Sequence, residues 1–312
     1  MPTVKTRRPV AGSVIPLRLG AQVSAYVSLM KLRVVELLLV TTLPAMVLAE
    51  RGIPHLGLVA VTLLGGTLAA GSAHAFNQVI ERDIDAQMHR TRRRPVATGV
   101  ISPAAGAAFA AAMLVAAITL MLVFVNPLAA ALTLAANLFY VVIYTVVLKR
   151  RTAQNIVWGG VAGCLPTLIG WAAVTGSLAW SPVLLFLIVF FWTPPHYWPL
   201  AMRFRDDYAR AGVPMLPVVA SPRRVARQIV VYSWAMAATS LALWPVAGLG
   251  WLYGALAVLA GVWFLSEAHR LYLRASRGLG GSALNAMRLF HGSITYLTVV
   301  FLAVAVDVLL LG

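Results

Sequence analysis

The sequence predicts an all-α protein, a polytopic membrane helical bundle with nine transmembrane helices. Three observations lead there. Hydrophobic residues occupy 61% of the 312 positions and charged residues only 11%, where a soluble domain carries about a quarter charged. The apolar residues are gathered into long runs separated by short polar connections, and mean hydropathy is +0.85. The positive charge, finally, falls almost wholly on alternate connections, as it does when a chain threads a bilayer.

Taken in order, residues 1–30 are expected to form a basic cytoplasmic segment, with Lys5, Arg7, Arg8 and Arg18 among prolines and no acidic residue. It has no apolar core followed by a small-residue cleavage site, which argues against a cleaved secretory signal; a short basic presequence of mitochondrial type stays open. Residues 21–33 read as an interfacial lead-in ending in Lys31 and Arg33, and 31–312 as one intramembrane domain. Nine apolar runs follow, at 34–50, 56–78, 103–125, 128–148, 156–175, 180–199, 228–248, 250–268 and 290–311. Each supplies most of the roughly 20 residues that cross about 30 Å of hydrocarbon, although the first is short unless Leu29 and its neighbours extend it. The second and third are rich in Gly and Ala, which favours close helix packing. Pro44, Pro166, Pro194, Pro195 and Pro245 are expected to kink helices or end them early. Backbone groups in lipid must be satisfied within each segment, so every span is read as helical.

Charge tests the count. With the N-terminus in the cytoplasm, the tail and the connections 79–102, 149–155, 200–227 and 269–289 share one side and hold 24 of the 25 Lys and Arg, Arg51 being the exception. That asymmetry predicts a multi-pass protein of a bacterial plasma (inner) membrane, N-terminus inside and C-terminus outside. The net charge of +16 is therefore a topology signal rather than a sign of a nucleic-acid partner. The single cysteine, Cys164, excludes an intramolecular disulfide or a CxxC metal site.

The acidic residues are less easily explained by topology. There are nine, and Glu81, Asp83 and Asp85 fall within five positions at the end of the second run, followed by Arg90, Arg92, Arg93 and Arg94. If the helix through Gly71 to Ala86 is unbroken, about 100° per residue places Asn77, Glu81 and Asp85 within about 80° of arc and turns Asp83 away. Two carboxylates and an amide oxygen then converge, hard donors that suit Mg²⁺ held partly through the phosphates of a ligand. The adjacent arginines can take the non-bridging oxygens through charge-assisted forks. The plain alternative is that Glu81, Asp83 and Arg82 pair along the helix and the arginines only fix orientation. Asp206 and Asp207 lie in another loop of the same side, so five of the nine acids occupy two loops of one membrane face. A site shared between two halves of the bundle accounts for that concentration.

The segment from Asn77 to Pro95, NQVIERDIDAQMHRTRRRP, resembles the first aspartate-rich motif of the intramembrane UbiA prenyltransferase superfamily. TPPHYWPLAMRFRDDYARAGVPMLP, from Thr193 to Pro217, resembles the heme-modifying branch, which farnesylates protoheme IX, rather than the quinone or chlorophyll branches. The stretch from Tyr144 to Trp171 and the C-terminal LFHGSITYLTVVF are similar to the same branch, so the resemblance runs from about Lys31 to Asp307. It implies a UbiA-type bundle with Asn77, Glu81 and Asp85 as the first metal-binding set and Asp83 as an accessory carboxylate. Asp206 and Asp207 stand in the second acidic motif, with Asp207 counted among the metal ligands. Here the chain departs from the superfamily spacing, because Arg203 stands four residues before Asp207 and Glu81 stands where most members have Asp.

The chemistry so implied is transfer of a farnesyl group from farnesyl diphosphate to a vinyl group of heme b, with hydration, giving heme O. Mg²⁺ and a basic clamp would neutralise the departing diphosphate while an apolar cavity shields the allylic cation. Arg92, Arg93, Arg94, Lys149, Arg150, Arg151, Arg203 and Arg205 are the clamp candidates. His196, beside Trp192, Tyr197 and Trp198, is the leading candidate near the porphyrin, with Tyr144, Asn155 and Arg33 behind it. For His196 the ordinary alternative is an interfacial or helix-end histidine. Beyond the two substrates, membrane lipids and a downstream heme-modifying or oxidase-assembly protein are the expected partners. Two other readings stay open: a UbiA-type enzyme with an aromatic or quinone acceptor, and a transporter. The second is weakened because the spans hold few ions, chiefly Glu36, Glu267 and Asp307 near their ends.

Overall fold

In a computed structural model, residues 19–31 and 35–311 are described, with only the backbone for 35–39. Arg33 and the basic residues of the first eighteen positions lie outside the described residues. Every regular element described is helical. Helix α1 (Leu19–Leu29) and α2 (Val35–Glu50) lead into α3 (Leu56–Ile80) and the short α4 (Arg82–Gln87). They are followed by α5 (Pro103–Phe124) and α6 (Pro127–Leu138), the latter running on as a π-helix over Phe139–Leu148. Next come α7 (Asn155–Gly159), α8 (Val161–Thr175), α9 (Trp180–Arg203), α10 (Arg205–Arg210) and α11 (Leu216–Val219). Helices α12 (Pro222–Val246), α13 (Trp251–Ser276) and α14 (Ala286–Leu311) close the chain, a 3₁₀ turn over Gly281–Leu284 preceding the last.

Eight of these helical stretches, not nine, are long and apolar enough to cross a bilayer among the described residues. The exception is the first expected span. Helix α2 has 16 residues and so rises about 24 Å, short of a 30 Å core. It stops at Glu50 because Arg51 takes a left-handed φ of 58°, and the Arg51 guanidinium donates to the Ala247 carbonyl at 2.5 Å. Helix α2 nevertheless packs within the bundle, against α8 and α14.

Starts and stops follow local chemistry. Helices α5, α6 and α12 each open on a capping side chain followed by proline: Ser102, Asn126 and Ser221 accept from the backbone N–H three residues on. Proline at the first position gives up only an N–H that has no helical partner. The interior prolines divide: α12 ends one residue after Pro245, whereas Pro44, Pro166, Pro194 and Pro195 do not end their helices. Pro194, Pro195 and Pro199 lie inside an α9 that continues unbroken for 24 residues, because Pro194, Pro195 and Pro199 are buried between neighbouring helices that hold the helix on its path.

Helix α3 pairs with α5 along the small-residue stretch. Gly65 and Gly71 admit Met121 and Met113, whose side chains lie 2.6 and 2.7 Å from where a Cβ would stand. At the opposite end from the acidic loops, buried Asp307 of α14 accepts from the Gly250 and Tyr253 amides at 2.5 and 2.9 Å. It therefore caps the start of α13 from a neighbouring helix.

A candidate active site at one end of the bundle

The expected unbroken helix through Asn77 to Ala86 is interrupted at one residue. Helix α3 ends at Ile80 and α4 begins at Arg82, with Glu81 between them at φ −97° and ψ 13°. The bonds from Glu81 N to Asn77 O and from Asp85 N to Glu81 O survive at 2.9 and 2.8 Å, so the fourfold spacing still stacks the three residues. Asn77, Glu81 and Asp85 are all buried, while the Asp83 side chain is 56% exposed. Asn77 is held by its amide, which donates to the Thr145 hydroxyl at 3.2 Å.

Each of these carboxylates meets a cation from elsewhere in the chain. Lys149 Nζ lies 2.5 Å from Glu81 Oε2, and Arg94 Nη1 reaches both oxygens of Asp85 at 2.7 Å. Arg150 forks onto Asp83 at 2.8 and 3.0 Å, and this bond draws the Asp83 pKa below its ordinary value. The π-helix accounts for the Lys149 contact. Its bonds run to the fifth residue, as in Lys149 N to Tyr144 O at 2.9 Å, and the Thr145 hydroxyl adds another to the Tyr140 carbonyl five residues back. Because each π-helical bond reaches one residue further than an α bond, residues five apart come near one face, which brings Lys149 toward Tyr144, whereas α winding would part them by about 140°. The Tyr144 ring lies 5.8 Å from the Lys149 ammonium and fills space left by Gly159, where a Cβ would stand 2.2 Å from that ring.

The second acidic segment meets the first through Arg90, which reaches the Tyr208 hydroxyl at 3.5 Å; that hydroxyl lies 3.4 Å from the Tyr197 hydroxyl. Asp206 is exposed and Asp207 pairs with Arg210 on its own short helix. The other clamp candidates fall differently. Arg92, Arg93, Arg151 and Arg203 are exposed, and Arg205 donates to the Pro217 carbonyl at 3.0 Å, lining a cleft of about 470 Å³ that none of the acidic residues enters.

Among the acceptor candidates, His196 packs toward α14. Its ring is stacked between Trp192 and Phe290, with centroids at 4.1 and 4.6 Å, and Nδ1 lies 2.7 Å from the Ser293 hydroxyl. Trp198 is fully buried against Tyr232. The buried Asn155 amide donates to the Thr152 carbonyl at 2.8 Å and closes the turn after Lys149.

Several residues at this end are not singled out by motif. His74, a turn before Asn77 on the same face, is buried against Tyr140 with Nδ1 unpartnered; its spacing to Asn77 and Glu81 is the signal that marks it. Arg90 is visible only as one arginine of a run. Lys31 lies in the fields of Arg94, Lys149, Glu81 and Asp85; burial, together with the two cations, pushes its ammonium pKa well down.

No group of three or more His, Cys, Asp or Glu is gathered for a metal among the described residues. The donor set nevertheless fits a hard divalent cation. Buried Glu81 keeps Oε1 without a hydrogen-bond partner, and the Asn77 and Asp85 side chains stand one turn to either side of it.

The UbiA prenyltransferase family profile matches residues 38–306, and the chain belongs to that family. Within it the similarity is to protoheme IX farnesyltransferases. That of Streptomyces avermitilis is 59% identical over 288 residues, spanning 92% of this chain and 94% of the relative. That of a Nocardioides species is 58% identical over 93% and 92% of the two chains. Among solved structures, one titled for digeranylgeranylglyceryl phosphate synthase superposes with a TM-score of 0.76 at 16% identity, covering 92% and 99% of the two chains. A UbiA homolog from Archaeoglobus fulgidus bound to DMAPP and Mg²⁺ gives 0.65 at 18% identity, covering 90% and 99%. At those identities the structures establish the fold.

Proposed function

We propose that the chain transfers a farnesyl group from farnesyl diphosphate to the vinyl group of heme b, with addition of water, to give heme O and diphosphate. The observation that carries this reading is the row of buried ion pairs, Glu81 with Lys149 and Asp85 with Arg94, at the polar end of an apolar bundle whose relatives carry that activity in their name. Asn77, Glu81 and Asp85 are the residues that would hold Mg²⁺, with Asp207 an outlying candidate. When bound there, Mg²⁺ neutralises charge on the leaving diphosphate.

The chain's own residues do the rest. Lys149, Arg94 and Arg150 present their charges to the non-bridging oxygens, and because they are already positioned by carboxylates they need little reorganisation as charge develops. Tyr140, Tyr144 and Tyr197 line the approach with aromatic surface, and the packed helices beneath keep water from the allylic carbon until the vinyl group has attacked. The acidic loops face the cytoplasm of a bacterial plasma membrane in this reading, with Gly312 on the far side. Purified protein with heme b, farnesyl diphosphate and Mg²⁺ should yield a heme heavier by a farnesyl group and a hydroxyl group. Unchanged heme beside a prenylated hydroxybenzoate would move the activity to an aromatic acceptor, and substrate movement without diphosphate release would make the protein a carrier.

A further inference from the structure

One ammonium group stands outside the pairing at this site. Lys31 follows α1 directly and is largely buried. The Gln78 side chain donates to the Leu29 carbonyl at 3.1 Å and so fastens this connection to α3 within one turn of Glu81. Met30 packs into the space left by Gly71, its methyl 3.0 Å from where a Cβ would stand. Lys31 itself has a φ of 50°, a conformation that L-residues with long side chains rarely adopt and that persists where surrounding contacts impose it.

Lys31 lies in the fields of Arg94, Lys149, Glu81 and Asp85. Both carboxylates are already engaged, Glu81 with Lys149 at 2.5 Å and Asp85 with Arg94 at 2.7 Å. Lys31 makes no ion pair or hydrogen bond among the described residues. Lys31 thus adds a third basic group beside two cations that already match the two anions. An unmatched buried charge is strongly unfavourable, and what relieves it is an anion that brings several oxygens at once.

We propose that Lys31 is a diphosphate-binding residue, whose ammonium meets the phosphoryl oxygens of the prenyl donor. This assignment rests on the farnesyl diphosphate reading above. It gives Lys31 a different task from Lys149 and Arg94. Those two have carboxylate partners in the ligand-free protein, whereas Lys31 has its charge to spare.

The test uses the full chain in nanodiscs of neutral and of anionic lipid, with pyrophosphate plus Mg²⁺ as the probe and inorganic phosphate as its comparison. Calorimetric affinity and melting temperature are read for wild type, Lys31→Met and Lys31→Arg. Lys31→Met should bind Mg-pyrophosphate at least about tenfold more weakly in both lipids, and Lys31→Arg should stay within about threefold of wild type. Without ligand, Lys31→Met should melt no lower than wild type, since it removes an unmatched charge. Equal pyrophosphate affinity in wild type and Lys31→Met overturns the assignment, as does a lower melting point of the ligand-free variant, which would mean a structural partner. A difference present only in anionic nanodiscs would overturn it in favour of a lipid headgroup. A wild type that binds no Mg-pyrophosphate sinks the donor reading together with the assignment.

Discussion

At the residue scale, Glu81 and Asp85 show how much a carboxylate's role depends on its partner. Asp85→Asn keeps the shape of the side chain but leaves Arg94 facing a neutral amide, and it removes charge where the leaving group is to be neutralised. The expected loss is in kcat, on the order of 10²-fold or more, measured by initial rates against Mg²⁺ concentration. Lys149→Met acts on stability as well. It strands a fully buried Glu81 and should cost about 3–5 kcal/mol in detergent melts, most of which the double change with Glu81→Gln should restore while activity stays absent. Asp307 gives the contrast. Asp307→Ala loses two bonds to the start of α13 and should cost about 2 kcal/mol with activity per folded molecule unchanged. Asp307→Asn keeps one accepting oxygen but sets its NH2 against the other backbone N–H, so it should lose one of the two bonds and cost about 1 kcal/mol. That Asn77, Glu81 and Asp85 share a face and Asp83 turns away was legible in the sequence, because helical spacing is a local property. The choice of cation was not. Lys149 reaches Glu81 across 68 positions, and no local rule selects it from a run of three basic residues.

At the element scale, the same limit explains the first span and the π-helix. Composition marks 34–50 as an apolar run that ends where α2 does and counts it as a span, whereas the 16-residue helix falls short of one and its end is fixed by the bond of Arg51 to the Ala247 carbonyl. In the same way, Phe139–Leu148 reads as an ordinary apolar helix, since nothing in a run of β-branched and aromatic residues announces a five-residue repeat. Gly159 tests the support beneath it. In Gly159→Ala the new methyl would stand 2.2 Å from the Tyr144 ring; that ring must swing away, and Lys149 loses the surface it rests on. Activity should fall by about tenfold or more while the helical circular dichroism is retained. Retention of full activity would mean that Tyr144 does not position Lys149.

At the scale of the whole molecule, the bundle has two chemically distinct ends. One carries Glu81, Lys149, Arg90 and Tyr208; the other carries Arg51, Gly250 and Asp307. Among the described residues seven stretches long and apolar enough to cross a bilayer lie between Gln87 and Gly312, which predicts opposite sides for these two positions whatever α2 does. Single cysteines at Gln87 and Gly312, in a Cys164→Ser background, should be labelled from opposite faces of sealed vesicles, Gln87 from the cytoplasmic one. Labelling from one face would mean that a span has been miscounted. The alternation of basic connections made this axis legible in the sequence. The contact of Arg90 with Tyr208 was not, since it joins two loops more than a hundred residues apart.

The π-helix also carries a frame shift. Because its bonds reach five residues back where those of an α-helix reach four, the face that runs through Tyr144 comes round about one position late, near Lys149. Removing one residue among Val146, Val147 and Leu148 should let ordinary winding resume and swing Lys149 away from Glu81, abolishing turnover although every side chain named in the site remains in the polypeptide. Here the tally of residues is as much a part of the site as their identity.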